Sequence, residues 1–219
     1  MTGSKRALVI TIDGPAGAGK STAARELARR LGYRLVDTGA LYRALAWAVR
    51  QAHVAPDDGP ALRALLERAS VELDGERVLV NGRDVTGEIR TPEIGELTSR
   101  LTALAVVRDK MTPIQRGLAA RGGVVLEGRD TGSVVWPAAE VKFYLDADLE
   151  TRARRRRDEL LARGLPADLL RDRQDRERAL APLVQPEGAV VLDTTGRGIE
   201  EVVEAMLKAV EQSRCCTQS

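Results

Sequence analysis

The sequence predicts an α/β fold: a parallel sheet with helices on both faces, plus a small antiparallel insert on the substrate side and a short lid. Three observations lead there. Strand-like and helix-like segments alternate along most of the chain, the pattern of parallel strands joined by crossover helices. Between the first strand and the first helix stands Gly14-Pro-Ala-Gly-Ala-Gly-Lys-Ser21, which fits the phosphate-binding loop G-x-x-x-x-G-K-[ST]. Residues 71–85 break the rhythm, alternating apolar and polar with period two, as an antiparallel meander does. With the loop in that place, the main sheet is expected to be of the P-loop NTPase type.

The elements follow in order. Ala7 to Ile12 is short, apolar and β-branched, as a buried parallel strand should be. Ala23, Ala24, Leu27, Ala28 and Leu31 then recur at helical spacing, so a helix starts near Lys20. Tyr33 to Asp37 reads as a second strand, and Gly39 to Ala52 as a helix carrying Leu41, Leu45, Ala48 and Val49. Pro56-Asp-Asp-Gly-Pro60 leads to the meander, whose turns fall at Asp74-Gly75 and Asn81-Gly82. Arg90-Thr-Pro92 is its exit into a helix. Val124 to Leu126, Val141 to Leu145 and Ala189 to Leu192 are further core strands, separated or followed by helical patterns around 150–162, 167–180 and 198–212. The chain therefore reads as one domain over residues 1–219, with its core in 1–55 and 120–213 and the substrate-side insert and helices in about 56–119.

Composition fits an enzyme with a substantial core: 219 residues, 43% of them hydrophobic and 30% charged. A net charge of +2 demands neither nucleic acid nor a membrane as partner, and six aromatic residues in the whole chain argue further against a nucleic-acid surface. No apolar run is long enough to span a membrane, and the N-terminus lacks a signal-peptide apolar core. Cys215 and Cys216 are adjacent in a polar tail, expected to be disordered, where they build neither a disulfide framework nor a metal site; that suits a reducing cytoplasm. His53 is the single histidine, which argues against a Ser-His triad and a multi-histidine metal site; it reads as a surface residue ending a helix. No unexplained apolar stripe stands out, and a monomer is expected.

The chemistry begins with the loop. Gly14, Pro15, Ala16, Gly17, Ala18 and Gly19 would wrap around a triphosphate, all but Pro15 offering a backbone N–H, with Ser21 and Thr22 opening the helix whose dipole favours negative charge. Lys20 would reach the β- and γ-phosphates of ATP, and the Ser21 hydroxyl would ligate Mg²⁺. Short arginine motifs follow the strands at the carboxyl edge of the sheet, where open α/β folds hold ligands. They are Asp37-Thr-Gly-Ala-Leu-Tyr-Arg43, Glu127-Gly-Arg-Asp130, and a late helix placing Arg171, Asp175 and Arg178 on one face. A second anionic substrate explains arginines converging on one cleft, because guanidinium forks match phosphate oxygens and stay charged. A phosphate acceptor is itself anionic and needs no strong base, so catalysis reduces to positioning and charge stabilisation. In Arg152-Ala-Arg-Arg-Arg-Arg157, Arg152 with Arg155 or Arg156 is read as reaching over the triphosphate, and the rest as solvated.

These motifs together resemble the bacterial-type cytidylate kinase family, P-loop nucleoside monophosphate kinases. The likeness is carried by Ile12 to Thr22, Asp37 to Ala44, Gly87 to Thr91, Glu127 to Asp130 and on to Pro137, and Arg171-Asp-x-x-Asp175-x-x-Arg178 with Ala181-Pro-Leu183, in the family's order over nearly the whole chain. The meander resembles the insert that separates this family from adenylate kinases. The resemblance implies transfer of the γ-phosphate of ATP to CMP or dCMP. It implies Lys20, Arg129, Arg155 and Arg178 as the catalytic set, with Arg152 beside ATP. On the acceptor side it implies Arg43, Arg129 and Arg178 on the phosphate, with Thr38 and Tyr42 in the same motif. Ser99, Arg108 and Asp130 would read the cytosine edge, and Arg171 and Asp175 would contact the sugar. A carboxylate accepting from the 4-amino group and an arginine donating to N3 and O2 form a set that rejects a mismatched base.

Departures from the family pattern are small: Leu41 where Met is common, Thr131 for Ile or Met, Ser133 for Thr, and Trp136 for Phe, all read as packing positions. Two alternatives stay open: a P-loop kinase for UMP, AMP or shikimate, and a regulatory ATP-binding module. The guanine-reading Asn/Thr-Lys-x-Asp motif of a GTPase is missing.

Overall fold

The computed structural model describes residues 7–162 and 183–216. Its main sheet has five parallel strands in the order β2-β6-β1-β7-β8. They are β1 (Val9–Asp13), β2 (Arg34–Asp37), β6 (Val124–Glu127), β7 (Val141–Asp146) and β8 (Val190–Asp193). β1 and β6, central and neighbouring, are buried along their whole lengths, which accounts for their largely apolar character. The pleat sends alternate residues to opposite faces. Ile10, Ile12 and Val125 pack with α1 (Lys20–Leu31) and α7 (Ile199–Cys216) on one face. Val9, Val124 and Leu126 pack on the other with α2 (Thr38–Gln51) and the segments beyond it.

Those segments are α3 (Pro60–Arg68), a second sheet of β3 (Val71–Asp74), β4 (Arg77–Val80) and β5 (Arg83–Asp84), then α4 (Pro92–Leu101) and α5 (Ala105–Ala119). The meander is antiparallel, as its alternation predicts, and its second turn uses Asn81 and Gly82 at φ 50° and 77°, the left-handed pair a tight hairpin needs. Its Val71, Val78 and Val80 sit in the same core cluster as α2. Thr91 caps α4 through its hydroxyl, with Pro92 in the first turn. After β6 comes a single π-helical turn, Thr131–Val135, and after β7 the helix α6 (Leu149–Ala162).

The structure departs from the sequence reading in a few places. α3 had no distinct signal in the reading. Strands β6, β7 and β8 each run one residue further than their apolar cores, to an acidic residue. α7 continues through Cys215 and Cys216, where a disordered tail was expected: Val203, Met206 and Val210 anchor the helix on the sheet and carry it past the polar residues. His53 follows α2, exposed and at φ 52°, as a residue ending a helix. The helical pattern expected at 167–180 lies outside the described residues.

Candidate active site

Because the five main strands are parallel, their carboxyl ends share one edge, and each ends on a carboxylate: Asp13, Asp37, Glu127, Asp146 and Asp193. These groups organise the loops that follow. Asp37 Oδ1 accepts from the Ala40 amide at 2.8 Å, capping α2, and Asp146 accepts from the next amide at 2.8 Å. Asp193 accepts from the Thr195 amide at 2.8 Å. At β2, β7 and β8 the acidic residue that ends the strand thus anchors the segment that follows it.

The loop after β1 is built from backbone. Gly14, at φ 146°, lies so close to the Leu145 carbonyl of β7 that a Cβ would collide with it, and Gly17 at φ 77° stands in the same relation to the backbone of Arg152. The helix it opens has no side-chain cap at Gly19, so the first amides of α1 are left to an anion. Lys20 is buried and donates to the Pro15 carbonyl at 2.7 Å, while Ser21 and Thr22 are exposed.

Beneath the loop, Glu127 and Asp37 are neighbours across β6 and β2. Burial, and next the Asp37 charge, push the Glu127 carboxyl up; Lys20, Arg43 and a hydrogen bond from Ser21 pull the other way. Asp37 also meets Arg90 at 3.1 Å. Thr38 Oγ1 donates to the Glu127 carbonyl at 2.8 Å, which ties the two strand ends together.

One cleft of about 870 Å³ runs from this loop to the insert. Its walls include Thr38, Tyr42, Arg43, Arg129, Arg108, Asp130, Arg155 and Arg156. Arg43 stands on the first turns of α2, not in a turn, and burial lowers its guanidinium from the ordinary arginine range. Arg129 donates to the Gly14 carbonyl at 3.2 Å, linking the segment after β6 to the start of the phosphate loop. In the same wall Arg108 and Asp130, both buried, form an ion pair. The Arg108 guanidinium also lies 5.9 Å from the Tyr42 ring centroid. Ser99 is not in the lining, although its neighbours Thr98 and Thr102 are; its buried hydroxyl has no hydrogen-bond partner among the described residues.

The arginines of α6 divide. Arg155 donates to Thr194 Oγ1 at 2.9 Å and to its carbonyl at 2.8 Å, at the edge of the phosphate loop. Arg152 does not line the cleft: it is buried against the Ala147 carbonyl at 3.1 Å and 3.5 Å from Asp146. Arg171, Asp175 and Arg178 lie outside the described residues. The sequence reading missed Asp13, Asp37, Arg90 and Thr194 as site-building residues. The one available signal was an acidic residue at the end of each apolar run. Thr131, read as a packing position, is also a hydrogen-bonding one: its hydroxyl donates to Asp13 at 2.8 Å.

A family model described as cytidylate kinase matches residues 10–212. A cytidylate kinase of Geobacter sp. (strain M21) is 49% identical, over 94% of this chain and 93% of its own. One of Symbiobacterium thermophilum is 46% identical, over 95% and 98%. Among solved structures, a gluconokinase from Sinorhizobium meliloti 1021 superposes with a TM-score of 0.52 at 18% identity, covering 99% of each chain, a likeness of fold alone.

Proposed function

This chain belongs to the cytidylate kinase family, and we propose that it transfers the γ-phosphate of ATP to CMP or dCMP, giving ADP and CDP or dCDP. The observation that carries the reading is the buried Arg108–Asp130 pair in the wall of the cleft that the phosphate loop also lines. A carboxylate beside a guanidinium offers one acceptor and several donors, which complements a ring with a 4-amino group next to N3 and O2. The Ser99 hydroxyl, buried nearby without a partner, is assigned to the same edge. We assign Arg43 and Arg129 to the acceptor phosphate and Thr38 and Tyr42 to the wall beside it; that all four line the cleft supports this.

The acceptor oxygen is anionic, so no group here has to remove a proton. Lys20 and the amides opening α1 hold the donor phosphates, and Arg129, touching the Gly14 carbonyl, keeps the acceptor's phosphate in register with them. Arg155 is assigned to charge on the transferred group, and Arg152 to supporting the loop from behind through its backbone contact with Gly17. Arg178, Arg171 and Asp175 complete the assignment on the phosphate and sugar.

Mg²⁺ is part of the proposal. The exposed Ser21 hydroxyl, with the Glu127 and Asp37 carboxylates beside it, is a set of hard oxygen donors of the kind this ion takes while keeping most of its waters. When bound it would neutralise charge on the β- and γ-phosphates. As partners we assign only the small-molecule substrates. No helix among the described residues is long and apolar enough to cross a membrane.

The test is ADP release with ATP and Mg²⁺ against CMP, dCMP, UMP, AMP, GMP and shikimate in parallel. Turnover strongest with CMP or dCMP is expected. Strong turnover with another acceptor would keep the kinase and overturn the Ser99, Arg108 and Asp130 assignment.

A further inference from the structure

Asp13 is fully buried at the end of β1, one residue before the phosphate loop, and the phosphoryl-transfer scheme makes no use of it. Its carboxylate faces the π-helical turn Thr131–Val135. Oδ1 accepts from the Thr131 amide and hydroxyl, both at 2.8 Å, and Oδ2 from the Gly132 amide at 2.7 Å. Those two amides open the turn and have no partner within it. Gly132 is wedged between Thr11 and Pro186, where a Cβ would have no room, so the turn fits tightly against β1.

The residue at the head of that turn is Asp130. Aspartate is a favoured helix cap, and in the usual arrangement its own carboxylate would bind those amides. Here Asp130 makes no capping bond, and its side chain extends to Arg108 instead. We infer that Asp13 caps the turn in place of Asp130, and by doing so holds Asp130 on Arg108 at the acceptor end of the cleft. Asp13 is thus a positioning residue for acceptor recognition, placed on the strand that also carries the donor loop. This role rests on the proposed assignment of Asp130 to the acceptor base.

Without the Asp13 carboxylate, two buried amides lack an acceptor, and the nearest replacement is Asp130 itself. Its swing onto the turn would break the pair with Arg108. Burial pushes the Asp13 carboxyl up to about 6, against the pull of the Gly132 and Thr131 bonds, and the adjacent Asp130 charge pushes the same way; above that pH it serves as a charged cap.

Asp13→Ala and the near-isosteric Asp13→Asn are compared with the wild type in steady-state kinetics above pH 7. The KM for CMP is expected to rise about ten-fold or more in the alanine variant, and less in the asparagine variant, which keeps one acceptor, while the KM for ATP changes less than about two-fold. Equal changes in both constants, or lower thermal stability with an unchanged KM for CMP, would overturn the role. A second measurement does not depend on the substrate: the Arg108–Asp130 coupling from a double-alanine cycle in urea unfolding, in the wild-type and Asp13→Asn backgrounds. Coupling reduced by half or more in the Asp13→Asn background is expected, and undiminished coupling refutes the proposal. If the wild type does not use CMP, the acceptor assignment falls, and this cycle alone decides whether Asp13 positions Asp130.

Discussion

The two ends of the cleft are built differently. The donor end is a stretch of consecutive residues held by backbone: Gly14 and Gly17 sit too close to the Leu145 carbonyl and the Arg152 backbone to carry a side chain. The acceptor end is held by side chains that bridge distant segments: Arg108 to Asp130, Asp13 to the amides of Thr131 and Gly132, and Asp37 to Arg90. Backbone construction makes the donor end intolerant of a Cβ at Gly14 and Gly17, where the neighbouring backbone already fills the space. Side-chain construction makes the acceptor end adjustable, one pair at a time.

The sharpest separation of the two ends is Lys20 against Asp130. Lys20→Ala removes a preorganised cation from the transferred phosphate and is expected to lower kcat about 10³-fold with little loss of stability, since the loop is held by its backbone. Asp130→Ala leaves the buried Arg108 guanidinium without its partner, and should cost about 3–4 kcal/mol in urea unfolding besides raising the KM for CMP. The double variant with Arg108→Ala should recover part of that stability, because the stranded charge goes too. If both single variants affect stability alike, the contrast between the two ends collapses.

The same contrast decides what could be read in the sequence. The phosphate loop, the alternation of β1 to α2 and the period-two meander are contiguous signals, and each is found where the spacing predicts it. That Arg43 and Arg129 line the cleft was legible because their motifs follow strands. The acceptor pairs span separations of 22 to 119 residues and depend on which strands lie side by side, which no local pattern encodes. Asp13 illustrates the limit. In the sequence it is the residue before a loop, and only the β1–β6 pairing brings it under the turn that follows Asp130. Thr131 looked like packing for the same reason.

Asp13 also supplies a pH test confined to the acceptor side. Its pKa of about 6 lies above the ordinary aspartate value of 3.8, chiefly because it is buried. The folded state therefore binds the proton more tightly than the unfolded state between these values. Its contribution to stability is fully present below about pH 4 and is lost as pH rises through about 6. The difference corresponds to about 3 kcal/mol. Urea unfolding of wild type and Asp13→Asn across this range should show the wild type losing stability relative to the variant as pH rises. A constant difference would mean the carboxyl titrates alike in both states.

Arg90→Ala is the smallest effect and the finest cut. Arg90 joins the end of the insert to Asp37 at the strand edge, at 3.1 Å, but its side chain is 38% exposed. An exposed pair of this kind is worth about 0–1 kcal/mol and weakens with salt. Asp37 keeps its capping bond to Ala40 when the arginine is gone, so α2 and Arg43 stay in place. Unfolding should shift by less than about 1 kcal/mol, less still at high salt. The comparison is with Asp37→Ala, which removes the cap as well as the pair and should cost about 1 kcal/mol more. Equal losses would mean that the insert's grip on Asp37, not the helix cap, holds this corner of the acceptor end.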